Sequence, residues 1–194
     1  MLKERLTAFT DGVVAIIVTI MVLELRPPHG TGLRDLAQLW PVFLSYVLSF
    51  VYVAIYWNNH HHFFQLVRHV NGAILWANLH LLFWISLIPF TTAWMGENEF
   101  APGPTALYGV SLLMAAIAWT ILQLTIYRSQ GRGGALHQAL GRDLKSKVSP
   151  LLYVAGVGLA FVDTRLSGLL YAAVALMWLI PDRRVERRVR PEEP

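Results

Sequence analysis

The sequence predicts an all-α, polytopic membrane protein: six transmembrane helices per chain, both termini cytoplasmic. Three observations carry that expectation. Hydrophobic residues make up 55% of the 194 residues and charged residues 14%, against about 25% charged in a soluble globular chain; mean hydropathy is +0.47. Six stretches approach the roughly 20 apolar residues that a span needs. Lys and Arg fall on alternate connections between those stretches.

The spans are expected at about Phe9–Leu25, Leu36–Tyr56, Ala73–Trp94, Thr105–Tyr127, Val148–Val162 and Leu166–Ile180. Lys3 and Arg5 before the first stretch would suit a secretory leader. Asp11 interrupts its apolar approach, however, and Glu24-Leu25-Arg26-Pro27-Pro28 is a poor cleavage site, so it is expected to stay as a span. The second stretch runs into a polar, aromatic run, Trp57 to Phe64. In the third, Pro89 removes a helical hydrogen bond and predicts a kink, with Thr91 and Thr92 available to compensate. The last two stretches are short, and Val162-Asp163-Thr164-Arg165 between them reads as the tight turn of a helical hairpin. Together the six occupy the chain as a single domain.

Charge tests this map. Lys3, Arg5, Arg68, Arg128, Arg132, Arg142, Lys145, Lys147, Arg183, Arg184, Arg187, Arg188 and Arg190 fall on one side. Only Arg26, Arg34 and Arg165 fall on the other, with Glu24, Asp35, Glu97, Glu99 and Asp163. The crowded side is the cytoplasmic one. The Arg-rich tail then reads as a topology signal and anionic-lipid anchor rather than a nucleic-acid site.

Several chemistries are excluded or lack a motif. The chain has no cysteine, which removes thiol nucleophiles, disulfides and Cys-ligated metal. It has no GxSxG, HExxH, phosphate loop or dinucleotide fingerprint, so neither an enzyme nor a cofactor is expected. His60-His61-His62 invites a metal reading, but consecutive helical residues point about 100° apart and no two share a face. The plain reading is a solvated cytoplasmic loop with an aromatic interface belt; the alternative is that one or two of these side chains turn inward to Thr10 and Asp11, joining the first three spans.

The first span holds the most informative residues. A charge within a span is expensive, less so near its ends, so Asp11 should face protein, with Arg5, a histidine or backbone donors as partners, or else cap the helix start with Thr10. Further along, Ile16, Ile20 and Leu23 follow i, i+4, i+7 spacing on one face, with Thr19 nearly on it. Periodicity alone does not separate a lipid-facing from a pore-facing stripe.

Arg5-x-x-x-Phe9-Thr10-Asp11-Gly12, leading into an Ile/Val/Thr/Leu helix that ends Leu23-Glu24, resembles the RxxxFSDG signature of the lysosomal-type potassium channels. It is most similar to bacterial members with one six-helix repeat per subunit. Trp57…His60-His61 and Asn78…Pro89-Phe90-Thr91 are similar too. Thr10 departs from the usual Ser but keeps the hydroxyl. The resemblance implies a homotetramer in the bacterial plasma membrane, with the first helix of each subunit lining a central pore. It implies that Arg5, Phe9, Thr10 and Asp11, with Trp57, His60, His61 and Asn78, form a structural polar network at the cytoplasmic side. By position, Ile16 would be the main constriction, Ile20 and Leu23 would continue an apolar lining, and Thr19 would give the hydroxyl layer tied to potassium preference. Such a constriction gates by dewetting rather than through a carbonyl filter. The expected function is passive flux of potassium. Proton conduction or proton-coupled transport through Asp11 and the histidines, and a non-conducting membrane scaffold, are the alternatives.

Overall fold

A computed structural model describes residues 3–130 and 144–179. Helix α1 spans Lys3–Leu23. It starts six residues earlier than hydropathy suggests, because a helix tolerates charges that lie outside the hydrocarbon. Glu4 in the first turn suits the helix dipole, and the Thr7 hydroxyl donates back to the Lys3 and Glu4 carbonyls at 3.3 and 3.0 Å. Thr10 and Asp11 therefore lie about two turns inside the helix and do not cap its start, which corrects the capping reading.

A short helix α2, Leu33–Ala37, precedes α3, Trp40–Gln65. Asp35 Oδ2 accepts from Gly32 N at 3.0 Å and closes the first turn of α2. Pro41 in the first turn of α3 has no intrahelical bond to lose. Helix α3 continues nine residues past Tyr56. Asn58 to His62 are thus helical rather than a loop, a second correction: no proline or glycine interrupts the run, and backbone hydrogen bonding is indifferent to polar side chains. At about 1.5 Å per residue α3 is about 39 Å long, against roughly 30 Å of hydrocarbon.

Helices α4, Gly72–Ser86, and α5, Ile88–Glu97, together make one apolar stretch broken at Leu87. Asn71 caps α4, its Oδ1 accepting from Ile74 N at 3.0 Å. Pro89 has no N–H for the Ile85 carbonyl. The Thr91 hydroxyl lies 3.2 Å from both the Leu87 and Ile88 carbonyls and compensates locally. Helix α5 ends in a Schellman turn: Phe100 N bonds Met95 O at 3.0 Å and Glu99 N bonds Gly96 O at 3.2 Å. Glu99 occupies the left-handed position at φ 50°, where glycine is usual.

Helix α6, Pro102–Gln130, crosses the whole bundle, and α7, Leu144–Leu159, and α8, Thr164–Leu179, form the expected hairpin. Asp163 Oδ1 accepts from Arg165 N at 2.8 Å and starts α8. Among the described residues four stretches are long and apolar enough to cross a bilayer: Lys3–Leu23, Trp40–Gln65, Gly72–Glu97 and Pro102–Gln130. Helices α7 and α8 have 16 residues each. The end of the expected last span and the Arg-rich tail lie outside the described residues.

Helix α1 lies against α3, α4 and α5; α4 packs on α6, and α6 carries the α7–α8 hairpin. One core joins Leu6, Ile17, Val53, Ile74 and Leu122 across α1, α3, α4 and α6. The other joins Tyr52, Tyr108, Tyr153 and Tyr171 across α3, α6, α7 and α8. Two glycines make the second possible. A Cβ on Gly109 would meet the Tyr171 hydroxyl, and one on Gly156 would meet the Tyr171 ring, so α6 and α7 close around that tyrosine as a knob in a hole.

Candidate functional site

Helix α1 divides its residues by helical phase. Leu6, Thr10, Val14, Ile17 and Met21 are buried against the bundle. Phe9, Ile16, Ile20 and Leu23 are 54%, 60%, 42% and 72% exposed on the single chain. Thr19 lies on the same outer side, and its hydroxyl donates to the Ala15 carbonyl at 2.9 Å. That bond commits the hydroxyl proton to the helix backbone and leaves the oxygen as an acceptor.

A polar anchor fixes the other side of α1. Asn78 on α4 donates from Nδ2 to Thr10 Oγ1 at 2.9 Å. Its Oδ1 accepts from His60 Nε2 on α3 at 2.9 Å, and the His60 ring stacks on Phe64 with centroids 4.2 Å apart. Thr10, Asn78 and His60 are all fully buried. Three helices are thereby tied through one carboxamide. Interhelical hydrogen bonds in a membrane are worth about 0.6 kcal/mol on average and up to about 1.7, but a partner left unpaired in a buried site costs about 1–3 kcal/mol.

A second polar group sits beside it on the outer surface. Trp57 Nε1 donates to Asp11 Oδ1 at 2.9 Å. The partner of Asp11 is thus an indole, not Arg5 or a histidine. Trp57 stacks on His61 with centroids 5.8 Å apart, and Gln65 Nε2 donates to His61 Nε2 at 3.0 Å. His61 therefore stays outside the buried tie. Arg5 is exposed and makes no hydrogen bond or ion pair among the described residues. Of the three adjacent histidines only His60 enters the core, and no group of three His, Asp or Glu among the described residues could hold a metal ion.

Sequence reasoning missed one polar set. Thr92 donates to Ser49 Oγ at 2.6 Å, and Ser49 donates to the Tyr108 hydroxyl at 3.0 Å, joining α5, α3 and α6 within the bundle. Scattered Ser, Thr and Tyr in apolar helices give no signal of which will meet.

Long apolar helices with large apolar residues on their outer sides, joined by an internal polar tie, define a multi-pass α-helical membrane protein. The family described as endosomal/lysosomal potassium channel TMEM175 matches residues 5–89. A potassium channel of Chryseobacterium sp. (strain P1-3) is 51% identical over 98% of this chain and 99% of its own length. One of Streptomyces collinus is 32% identical over 90% of each chain. The crystal structure of a lysosomal potassium-selective channel TMEM175 homolog from Chamaesiphon minutus superposes with a TM-score of 0.82 at 27% identity, covering 94% of this chain and 97% of that one. This chain belongs to the TMEM175 family.

Proposed function

We propose that the chain is the subunit of a potassium-preferring cation channel in the bacterial plasma membrane. It crosses six times with both termini cytoplasmic, and four copies place α1 around a central pore. One observation carries the reading: α1 is tied to its own subunit on one face and leaves Ile16, Ile20 and Leu23 outward on the other. Four such faces on one axis make an apolar bottleneck that opens and closes by wetting. Thr19, whose oxygen is left as an acceptor by its bond to Ala15, replaces part of the hydration shell of a dehydrating cation. The names of the bacterial relatives support potassium as that cation.

The test is potassium against sodium flux through purified protein in liposomes. Ile16→Asn wets the bottleneck and raises conductance; Thr19→Val lowers potassium preference while leaving flux. Unchanged flux and selectivity in both variants would remove α1 from the pore. A second reading, proton conduction, is favoured by the name endosomal/lysosomal proton channel TMEM175 carried by the human relative, 31% identical over 53% of this chain and 22% of its own length. Proton flux that persists without potassium, and survives Thr19→Val, would select it.

A further inference from the structure

The aromatic core around Tyr52 and Tyr153 is not filled. A cleft of about 30 Å³ remains between α3, α6, α7 and α8, walled by Trp119, Tyr153 and Trp178. One liquid water has a share of about 30 Å³, and a cavity needs roughly 10–15 Å³ to hold one. Tyr52, Tyr56 and Asn59 follow i, i+4, i+7 spacing on the α3 face that lines this cleft. The Tyr52 hydroxyl is satisfied by the Tyr171 carbonyl at 2.6 Å. Among the described residues the Tyr56 and Asn59 side chains have no hydrogen-bond partner, and both line the cleft. Tyr56 is only 9% exposed, yet its hydroxyl is not among the polar atoms sealed without a partner, as His62 Nδ1 and Thr105 Oγ1 are. Tyr56 is one of the residues that line the cleft, so a small polar molecule held there can reach its hydroxyl. A buried phenol left unpaired is destabilising, and the half-buried Asn59 carboxamide faces the same space.

We propose that the cleft is a hydration site in each subunit, an ordered water held between the Tyr56 hydroxyl and the Asn59 carboxamide. No charged side chain lines the space, so an ion would enter with no counter-charge. What fits is a neutral molecule of water size with both donor and acceptor character. Ser149 at the same wall accepts from Trp178 Nε1 at 2.8 Å and donates to the Lys145 carbonyl at 2.8 Å. One of its lone pairs is left as a third contact. The water thus bridges α3 to α7, two helices whose side chains otherwise leave a gap there. The site lies within one subunit and is independent of whether the assembly conducts.

The probe is water itself. Full-length protein in lipid nanodiscs is exposed to millisecond X-ray pulses, which convert water into hydroxyl radicals that oxidise the nearest side chains. Tyr56 is expected to label severalfold faster than Tyr108 and Tyr171, which are fully buried with no such space beside the hydroxyl. Asn59→Leu removes one holder and fills the space, and Tyr56 labelling should then drop to the level of those two. Tyr56 as silent as Tyr108 in the unaltered protein would overturn the proposal, since the cleft is then dry or filled by an acyl chain. Labelling unchanged in Asn59→Leu would overturn it as well, because the radical then comes from bulk water. If Asn59→Leu does not fold, Asn59→Met fills the same space and is read in the same way.

Discussion

Asn78→Leu separates a hydrogen-bonded anchor from one held by shape alone. The Asn78 carboxamide accepts from His60 and donates to Thr10, each at 2.9 Å, with all three residues buried. Leucine keeps the branched shape of the side chain and removes both bonds. Two interhelical bonds at about 0.6–1.7 kcal/mol each, together with the unpaired His60 N–H at about 1–3 kcal/mol, give an expected loss of about 2–6 kcal/mol. Thr10→Val removes only one of the bonds but leaves a buried Asn78 N–H unpaired, and should cost about 2–5 kcal/mol. Unfolding of the purified protein in bicelles gives both numbers, and the double variant completes a thermodynamic cycle. Its coupling energy should lie at about 0.5 kcal/mol or more, as expected for residues in one network. Full stability in Asn78→Leu, or zero coupling with Thr10→Val, would refute the anchor. Helix α1 would then be held by the packing of Leu6, Val14, Ile17 and Met21 alone.

The Tyr171 socket gives a second test. Gly109→Ala and Gly156→Ala each drive a methyl into the tyrosine and should cost about 1–3 kcal/mol as overpacking. Gly158→Ala, with nothing within 4 Å of the added carbon, should be neutral or gain about 0.5–1 kcal/mol; thermal unfolding of the three variants side by side checks the contrast. Glu99→Gly relieves a left-handed residue at φ 50° and should raise stability by up to about 1 kcal/mol, read as a higher midpoint in the same assay.

The phase of α1 was legible because a 3.6-residue period sorts neighbours onto opposite faces, and Ile16, Ile20 and Leu23 fall together whatever surrounds them. The extent of α3 was not. A hydropathy reading stops at Tyr56 because two asparagines and three histidines follow, yet those side chains cost a helix nothing once they have partners. The partner of His60 is Asn78, eighteen residues away on another helix, and no local pattern announces a pairing of that kind. Helix α2 was hidden for the opposite reason: Leu36 to Trp40 is apolar but for Gln38, and only Pro41, a first-turn residue, marked the restart. The turn at Glu99 carries no glycine, the usual sign of a left-handed residue, so nothing in composition pointed to it.

The placement of polar groups on α1 follows from the solvent. Lipid tails give apolar side chains no reason to prefer another helix, so packing and hydrogen bonds must hold α1 in place. A single tie at Thr10, about two turns from the helix start, fixes rotation as well as position, because a carboxamide bonded on both sides has no freedom to turn. With rotation fixed, the outward set from Phe9 to Leu23 is fixed too. An indole, rather than a lysine or arginine, then serves Asp11 on that outward surface: Trp57 supplies one N–H at 2.9 Å and leaves the carboxylate charge uncancelled. The acidic side chain thus stays at one end of the outward face, about two turns of helix before the Thr19 hydroxyl.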